Sequence, residues 1–250
     1  MNGGAEFKIK LTLTYDGGAF HGWQVQKDAQ TVQSTVQKAI SEVCGKTLPV
    51  TGCSRTDAGV HALEYVCHTD YIDIPPEKLP QALNFHLPPS AAVKKAELVP
   101  SDFHARYSCK GKEYVYKIFN ARYHDPFYLG RAMFYPKKLD DSKLNDAAQA
   151  FCGRQDFRAF MAEGSKITDT ERTVKYCRVE RPDNGCLVTV TVAADGFLYN
   201  MVRIIAGTVI LASEKNLNFD GISEIISSLD RKNAGATAPA CGLYLNKVFY

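Results

Sequence analysis

Twice along this chain the apolar residues trace the order strand, helix, strand, strand, helix, strand. That repeat restricts the fold more than any other feature. In the first pass, Phe7 to Asp16 alternates as FKIKLTLTYD, the period of a half-buried strand. Val32, Val36, Ala39 and Ile40 then recur at helical spacing, with Thr31 placed to cap the start and Gly45 to stop the end. Leu48 to Thr51 and Leu63 to Ile72 read as strands, Pro75-Pro76-Glu77 opens a helix to about Phe85, and Ala91 to Val99 is a strand. In the second pass, His104 to Asn120 is a long alternating strand. Asp140 to Gly153 is a helix with Leu144, Ala147, Ala148 and Phe151 on one face. Thr173 to Arg181 and Leu187 to Ala194 form a hairpin around Asp183-Asn184-Gly185. Leu198 to Ser213 and Gly221 to Leu229 are helices, and Leu243 to Tyr250 closes the chain as a strand.

The fold class expected is α+β. Two ferredoxin-like or RNA-recognition-like β-α-β-β-α-β halves, the second with one extra helix, join edge to edge in one extended, mainly antiparallel sheet. Helices cover one face and a cleft lies between the halves. The boundary falls near Pro100 to Phe103. This gives an N-terminal subdomain over 1–102 that carries Asp57, and a C-terminal one over 103–250 that carries Tyr114 and Arg203.

Composition narrows the class. Of 250 residues, 45% are hydrophobic and 23% charged, as in a folded globular protein. The longest apolar stretch, Ile204 to Ala212, is far short of the roughly 18 residues a membrane span needs. Met1 to Glu6 is polar and lacks the apolar core of a signal peptide, so a cytoplasmic protein is expected. The eight cysteines include no C-x-x-C pair and no zinc-ligand spacing; they read as small buried thiols, and no metal site is expected. A net charge of +3 permits an anionic partner without requiring one.

Four stretches look chemical. TGCSRTDAGVH at 51 to 61 sets Arg55 and Asp57 between small residues, with Gly59 free to turn sharply. A loop of this kind holds one carboxylate in place; a lone loop aspartate also serves as a turn former, and the pattern alone leaves both readings open. GFLYNMVRIIAGT puts Arg203 inside a helix that is apolar almost all round. A buried arginine needs a partner, and Asp57, Asp195 or solvent would each serve. KGKEYVYKIF at 110 to 119 places Lys112, Tyr114, Tyr116 and Ile118 on one strand face, which suits bases and phosphates but is also ordinary strand composition. YDGGAFHGWQVQ at 15 to 26 is glycine-rich enough to cradle phosphate, yet it has neither a P-loop nor a dinucleotide fingerprint. Ser54, Asp57 and His61 sit too close along one loop to form a hydrolase triad.

Taken together, SRTDAGVHA at 54 to 62, YDGGAFHGWQVQ with TVQ at 31 to 33, DFHARYSCKGKEYVYKI at 102 to 118, GFLYNMVRIIAGT at 196 to 208 and GATAPACGLYLNKVFY at 235 to 250 resemble the tRNA pseudouridine synthase A family, in order and over nearly the whole chain. One departure is visible: Ser54 stands where the family usually has glycine. The resemblance implies isomerisation of uridine to pseudouridine in tRNA, typically at positions 38 to 40 of the anticodon arm. No metal or organic cofactor is implied, and the enzyme is expected to be a homodimer with a basic cleft for tRNA. It further implies Asp57 as nucleophile, Arg55 in base flipping and backbone contact, Tyr114 stacked on the flipped uracil, and Arg203 paired with the aspartate. Lys112 and Arg106 are expected to bind substrate. The competing expectations are a catalytically inactive tandem RNA-binding protein, a small-molecule hydrolase using Asp57, and the same chemistry on other tRNA uridines.

Overall fold

The computed structural model describes residues 6–182 and 185–250. The chain divides into two compact units, the first running to Lys110 and including Leu245–Tyr250, the second spanning Gly111–Tyr244.

In the first unit, β1 (Phe7–Tyr15) buries Ile9, Leu11, Leu13 and Tyr15 and leaves the intervening lysines and threonines half-buried, as its alternation requires. It pairs antiparallel with β3 (His61–Asp70) on one side and β4 (Ala91–Pro100) on the other. The short β2 (Val50–Gly52) also lies antiparallel to β3. Helix α1 (Val32–Cys44) starts at Thr31, which forms a capping box with Ser34, and stops at Gly45 in the left-handed region at φ 68°. It buries Val32, Val36, Ala39 and Ile40, the residues its spacing predicts. Fully burying each of the larger aliphatic side chains stabilises the unit by about 1.5–3 kcal/mol relative to exposure. Helix α2 (Leu79–His86) contributes Leu79 and Leu83 and packs on α1 and β4.

In the second unit, β5 (Gly111–Asn120), β9 (Leu187–Ala194), β8 (Glu171–Glu180) and β7 (Gly153–Asp156) follow one another in the sheet, antiparallel throughout. The short β6 (Met133–Tyr135) runs parallel to β5. Helix α3 (Asp141–Gln149) packs on β8, and the apolar α4 (Met201–Lys215) packs on β5 and α3. Helix α5 (Phe219–Ser227) packs on α3. Gly207 of α4 lies so near the chain at 235–238 that a Cβ there would sit 1.8 Å from Ala236 O. The two backbones are tied by Gly235 N donating to Thr208 Oγ1 at 2.8 Å and Ala238 N to Arg203 O at 3.1 Å.

Three expectations need correction. The long strand expected from His104 begins only at Gly111, because residues 101–110 close local turns such as Ser108 N to His104 O at 2.9 Å. The second half contains β6 and β7 as well, each too short to show a period of two. The closing strand, β10 (Leu243–Phe249), forms where the pattern expects it and takes the place beside β5 that a second repeat requires, while Leu245–Tyr250 group with the first unit. The cysteines are all free, but only Cys53, Cys67 and Cys177 are buried and Cys186 is exposed. The expected turn at Asp183-Asn184 lies outside the described residues. Among the described residues, no helix is long and apolar enough to cross a membrane.

Candidate active site

The loop between β2 and β3 carries Arg55 and Asp57. It is short and polar, and it owes its shape to aromatic and glycine residues from elsewhere in the first unit. Thr56, 7% exposed, is gripped twice: its Oγ1 is 2.9 Å from the Tyr15 hydroxyl, and its carbonyl accepts from Trp23 N at 3.0 Å. Tyr65, wholly buried, donates its hydroxyl to Ser54 O and stacks on Trp23 with ring centroids 4.1 Å apart. Burial pushes the Tyr65 hydroxyl up in pKa, which keeps it a donor. Val60 N closes the turn onto Asp57 O at 3.2 Å, with Gly59 at φ 81°. The outcome is an Asp57 that is half-buried and an Arg55 that is exposed, on either side of a fixed threonine.

The glycine-rich stretch at 15 to 26 is the other half of this clamp, and its glycines serve close backbone packing. Gly22 sits at φ 83°, and a Cβ there would come within 2.6 Å of Thr56 O; one on Gly17 would come within 2.1 Å of Val60 O. These glycines let one loop lie backbone to backbone against the other. Gly17 N donates to His61 Nδ1 at 3.1 Å. Asp16 Oδ1 lies 3.2 Å from the same nitrogen and accepts from Gly18 N at 3.0 Å. Ser54 is not among the non-glycine residues at positive φ, so its position makes no demand that only glycine could meet.

In the second unit Tyr114 is 8% exposed, pairs across the strands with Val192, and meets Phe197 edge to face at 5.0 Å. Lys112, two residues before it, is half-buried opposite Ala194. Tyr116 and Ile118 are fully buried, and the Tyr116 hydroxyl donates to Pro239 O at 2.8 Å. The stretch is therefore core with one tyrosine near its rim, and no continuous exposed aromatic platform exists there. Arg203 lies in the first turn of α4 and is half-buried, not enclosed as its helix suggested. Its Nε donates to Ala238 O at 2.7 Å and its Nη1 to Asn200 Oδ1 at 2.9 Å. Asn200 holds φ 60° to start the helix. Asp195, the other partner considered for Arg203, accepts from Thr173 N at 3.0 Å.

The structure thus gathers Arg55 and Asp57 on one braced loop. Arg106 belongs to the first unit too, on a separate exposed turn, and Lys112, Tyr114 and Arg203 belong to the second. Sequence reasoning missed Tyr15, Trp23 and Tyr65 as the braces. The parity of β1 marks Tyr15 as buried, but nothing local says its hydroxyl meets Thr56.

Comparison with known proteins gives these features a context. A family model described as tRNA pseudouridine synthase matches residues 12–108 and 147–250. The chain is 46% identical to a tRNA pseudouridine synthase A of Ruminiclostridium cellulolyticum, over 97% of this chain and 99% of that one. It is 43% identical to that of Acetivibrio thermocellus, again over 97% and 99%, and 40% identical to that of Bacillus licheniformis over the same shares. The class is that of isomerases acting on uridine in tRNA. Within that class, the chain belongs to the tRNA pseudouridine synthase family.

Proposed function

We propose that this isomerase converts uridine to pseudouridine in the anticodon arm of tRNA, at positions 38 to 40, with Asp57 as its nucleophile. The observation that carries the role of Asp57 is the bracing of its loop. Tyr15 and Trp23 hold Thr56, and Tyr65 holds Ser54, so a half-buried carboxylate is delivered on a rigid backbone. An ionised carboxylate of this kind attacks ribose C1′ as the N1–C1′ bond breaks, or takes the C2′ proton so that uracil leaves with formation of a glycal. The uracil then turns and C5 bonds to C1′, with release of the carboxylate in the first route or return of the proton to C2′ in the second, and C5 loses its proton. Arg55, exposed beside it, contacts the backbone while the target nucleotide leaves the stack. Tyr114 stacks on the flipped uracil. Arg203, whose fork is oriented by Asn200 and Ala238, supplies the counter-charge to the carboxylate. Lys112 and Arg106 bind the RNA. The enzyme works as a homodimer in the cytoplasm.

The test is tritium release from C5-tritiated uridine in an unmodified tRNA transcript. Asp57→Asn is expected to abolish release while tRNA affinity stays within about threefold, because a neutral amide cannot attack as a carboxylate does. Substantial residual turnover, with deamidation excluded, would remove Asp57 from that role. Mapping pseudouridine in the product decides between positions 38 to 40 and other uridines. A wild-type chain that binds tRNA and releases no tritium would be an RNA-binding protein only.

A further inference from the structure

Between β4 and β5 the chain makes a turn whose backbone is held by side chains from the rest of the first unit. Lys8 Nζ donates to Phe103 O at 3.0 Å. Ala105, with no exposed surface, gives its N–H to His68 Nδ1 at 3.1 Å, and its carbonyl accepts from the Tyr250 hydroxyl at 2.7 Å. His104 completes the turn: its Nδ1 accepts from both Arg106 N and Tyr107 N at 3.2 Å, and its own N–H reaches Ser108 Oγ at 3.1 Å. What this scaffold presents is outward-facing. Arg106 is exposed and Tyr107 is 78% exposed, yet the Tyr107 ring is not loose. It stacks on the His104 ring at 4.3 Å and 27°, with the Arg106 guanidinium 5.9 Å from its centroid.

A solvent-facing tyrosine ordinarily keeps its rotamer freedom. Here the ring is backed by an imidazole on a turn whose amides are nearly all assigned, and most of its surface is left to water beside a cation. That pairing fits a nucleotide, with a base on the open ring and a phosphate on the guanidinium fork. We propose that the turn at 104 to 107 is a binding element for an unpaired nucleotide of the RNA substrate. Tyr107 is its stacking surface and Arg106 its phosphate contact. His68, His104 and Tyr250 are positioning residues that hold the turn ready. This deepens the reading of the chain as a tRNA-modifying enzyme and rests on it.

The test uses the full chain and an unmodified tRNA transcript, with KM and kcat from tritium release and Kd from filter binding over a range of salt. Tyr107→Ala is expected to raise KM and Kd about tenfold, with kcat at saturation changed less than about twofold. Tyr107→Phe, which keeps the stacking face, should restore both. Arg106→Ala should flatten the slope of log Kd against log salt by about 0.7, the loss of one phosphate contact. His104→Ala should resemble Tyr107→Ala, and the double variant should be no worse than either, since both remove one stack. Unchanged KM and Kd in Tyr107→Ala would overturn the inference. So would a change in sedimentation with affinity intact, which would make the surface a contact between copies of the chain. If the wild type binds tRNA with the expected Tyr107 dependence but releases no tritium, the catalytic reading falls and the binding element stands.

Discussion

Thr56 is held from two sides by residues distant in the chain. Its hydroxyl is 2.9 Å from that of Tyr15, with both side chains buried, so Tyr15→Phe leaves Thr56 Oγ1 without this partner. The expected stability cost is about 1 kcal/mol. The larger effect is on chemistry, because a small drift of a reacting group is costly. We expect kcat to fall about tenfold or more with KM for tRNA unchanged; a rise in KM alone would mean that Tyr15 serves binding instead. Arg203 gives a second case. Its Nε and Nη1 reach Ala238 O and Asn200 Oδ1 at once, a geometry that lysine cannot reproduce. Arg203→Lys should therefore be intermediate in single-turnover rate between the wild type and Arg203→Ala. Equal rates for lysine and arginine would show that charge alone is used there.

At the scale of elements, the loop at 15 to 26 is built around close backbone contact. Gly22→Ala is expected to destabilise by about 2 kcal/mol or more, since it adds a Cβ at positive φ and drives it toward Thr56 O. Gly45, also at positive φ, has nothing within 4 Å of an added Cβ, so Gly45→Ala should cost only the backbone preference of about 1 kcal/mol. Chemical denaturation of the two variants separates steric from conformational cost, and equal losses would contradict the close approach. This contrast also shows what could be read in advance. The cap at Thr31, the stop at Gly45 and the buried face of α1 are local, so spacing reveals them. The same holds for the alternation of β1. The clamp on Asp57 is not local: Tyr15 and Thr56 are 41 residues apart, and each looks ordinary alone. The alternation from His104 onward stops short because the backbone at 101–110 closes on itself in turns, and the contacts that hold Ala105 there, from His68 and Tyr250, are also distant in sequence. Asp57 itself stood out because the surrounding motifs resembled those of a known family, whereas its brace emerged only in three dimensions.

For the molecule as a whole, acid sensitivity and the last strand can be argued together, since both bear on the first unit. Burial lowers the pKa of His68 to about 4, with Lys8 and then His104 adding to the effect and Asp70 opposing it. Its ordinary value is about 6.5, so the unfolded chain takes up this proton first. The stability His68 contributes is complete above about pH 6.5 and is lost as pH falls toward 4, by at most on the order of 3 kcal/mol. Denaturation midpoints at pH 7.5 and 5 should show that slope, and His68→Gln should flatten it. The unit that loses stability is also the one to which Leu245–Tyr250 belong. Leu245 is fully buried, Phe249 O accepts from Lys110 N at 2.8 Å, and the Tyr250 hydroxyl reaches Ala105 O. The Tyr250 ring also packs on Phe103 at 5.1 Å. Removing Leu245–Tyr250 takes away a buried leucine, worth about 1.5–3 kcal/mol, and hydrogen bonds worth about 1 kcal/mol each. It also strips the neighbour of β3. A chain ending at Tyr244 is therefore expected to lose amide-exchange protection in β1, β3 and residues 103–107, while α3, β8 and β9 keep theirs. If protection is lost first in α3 and β8 and β3 is untouched, the last strand stabilises the second unit and its assignment to the first is wrong.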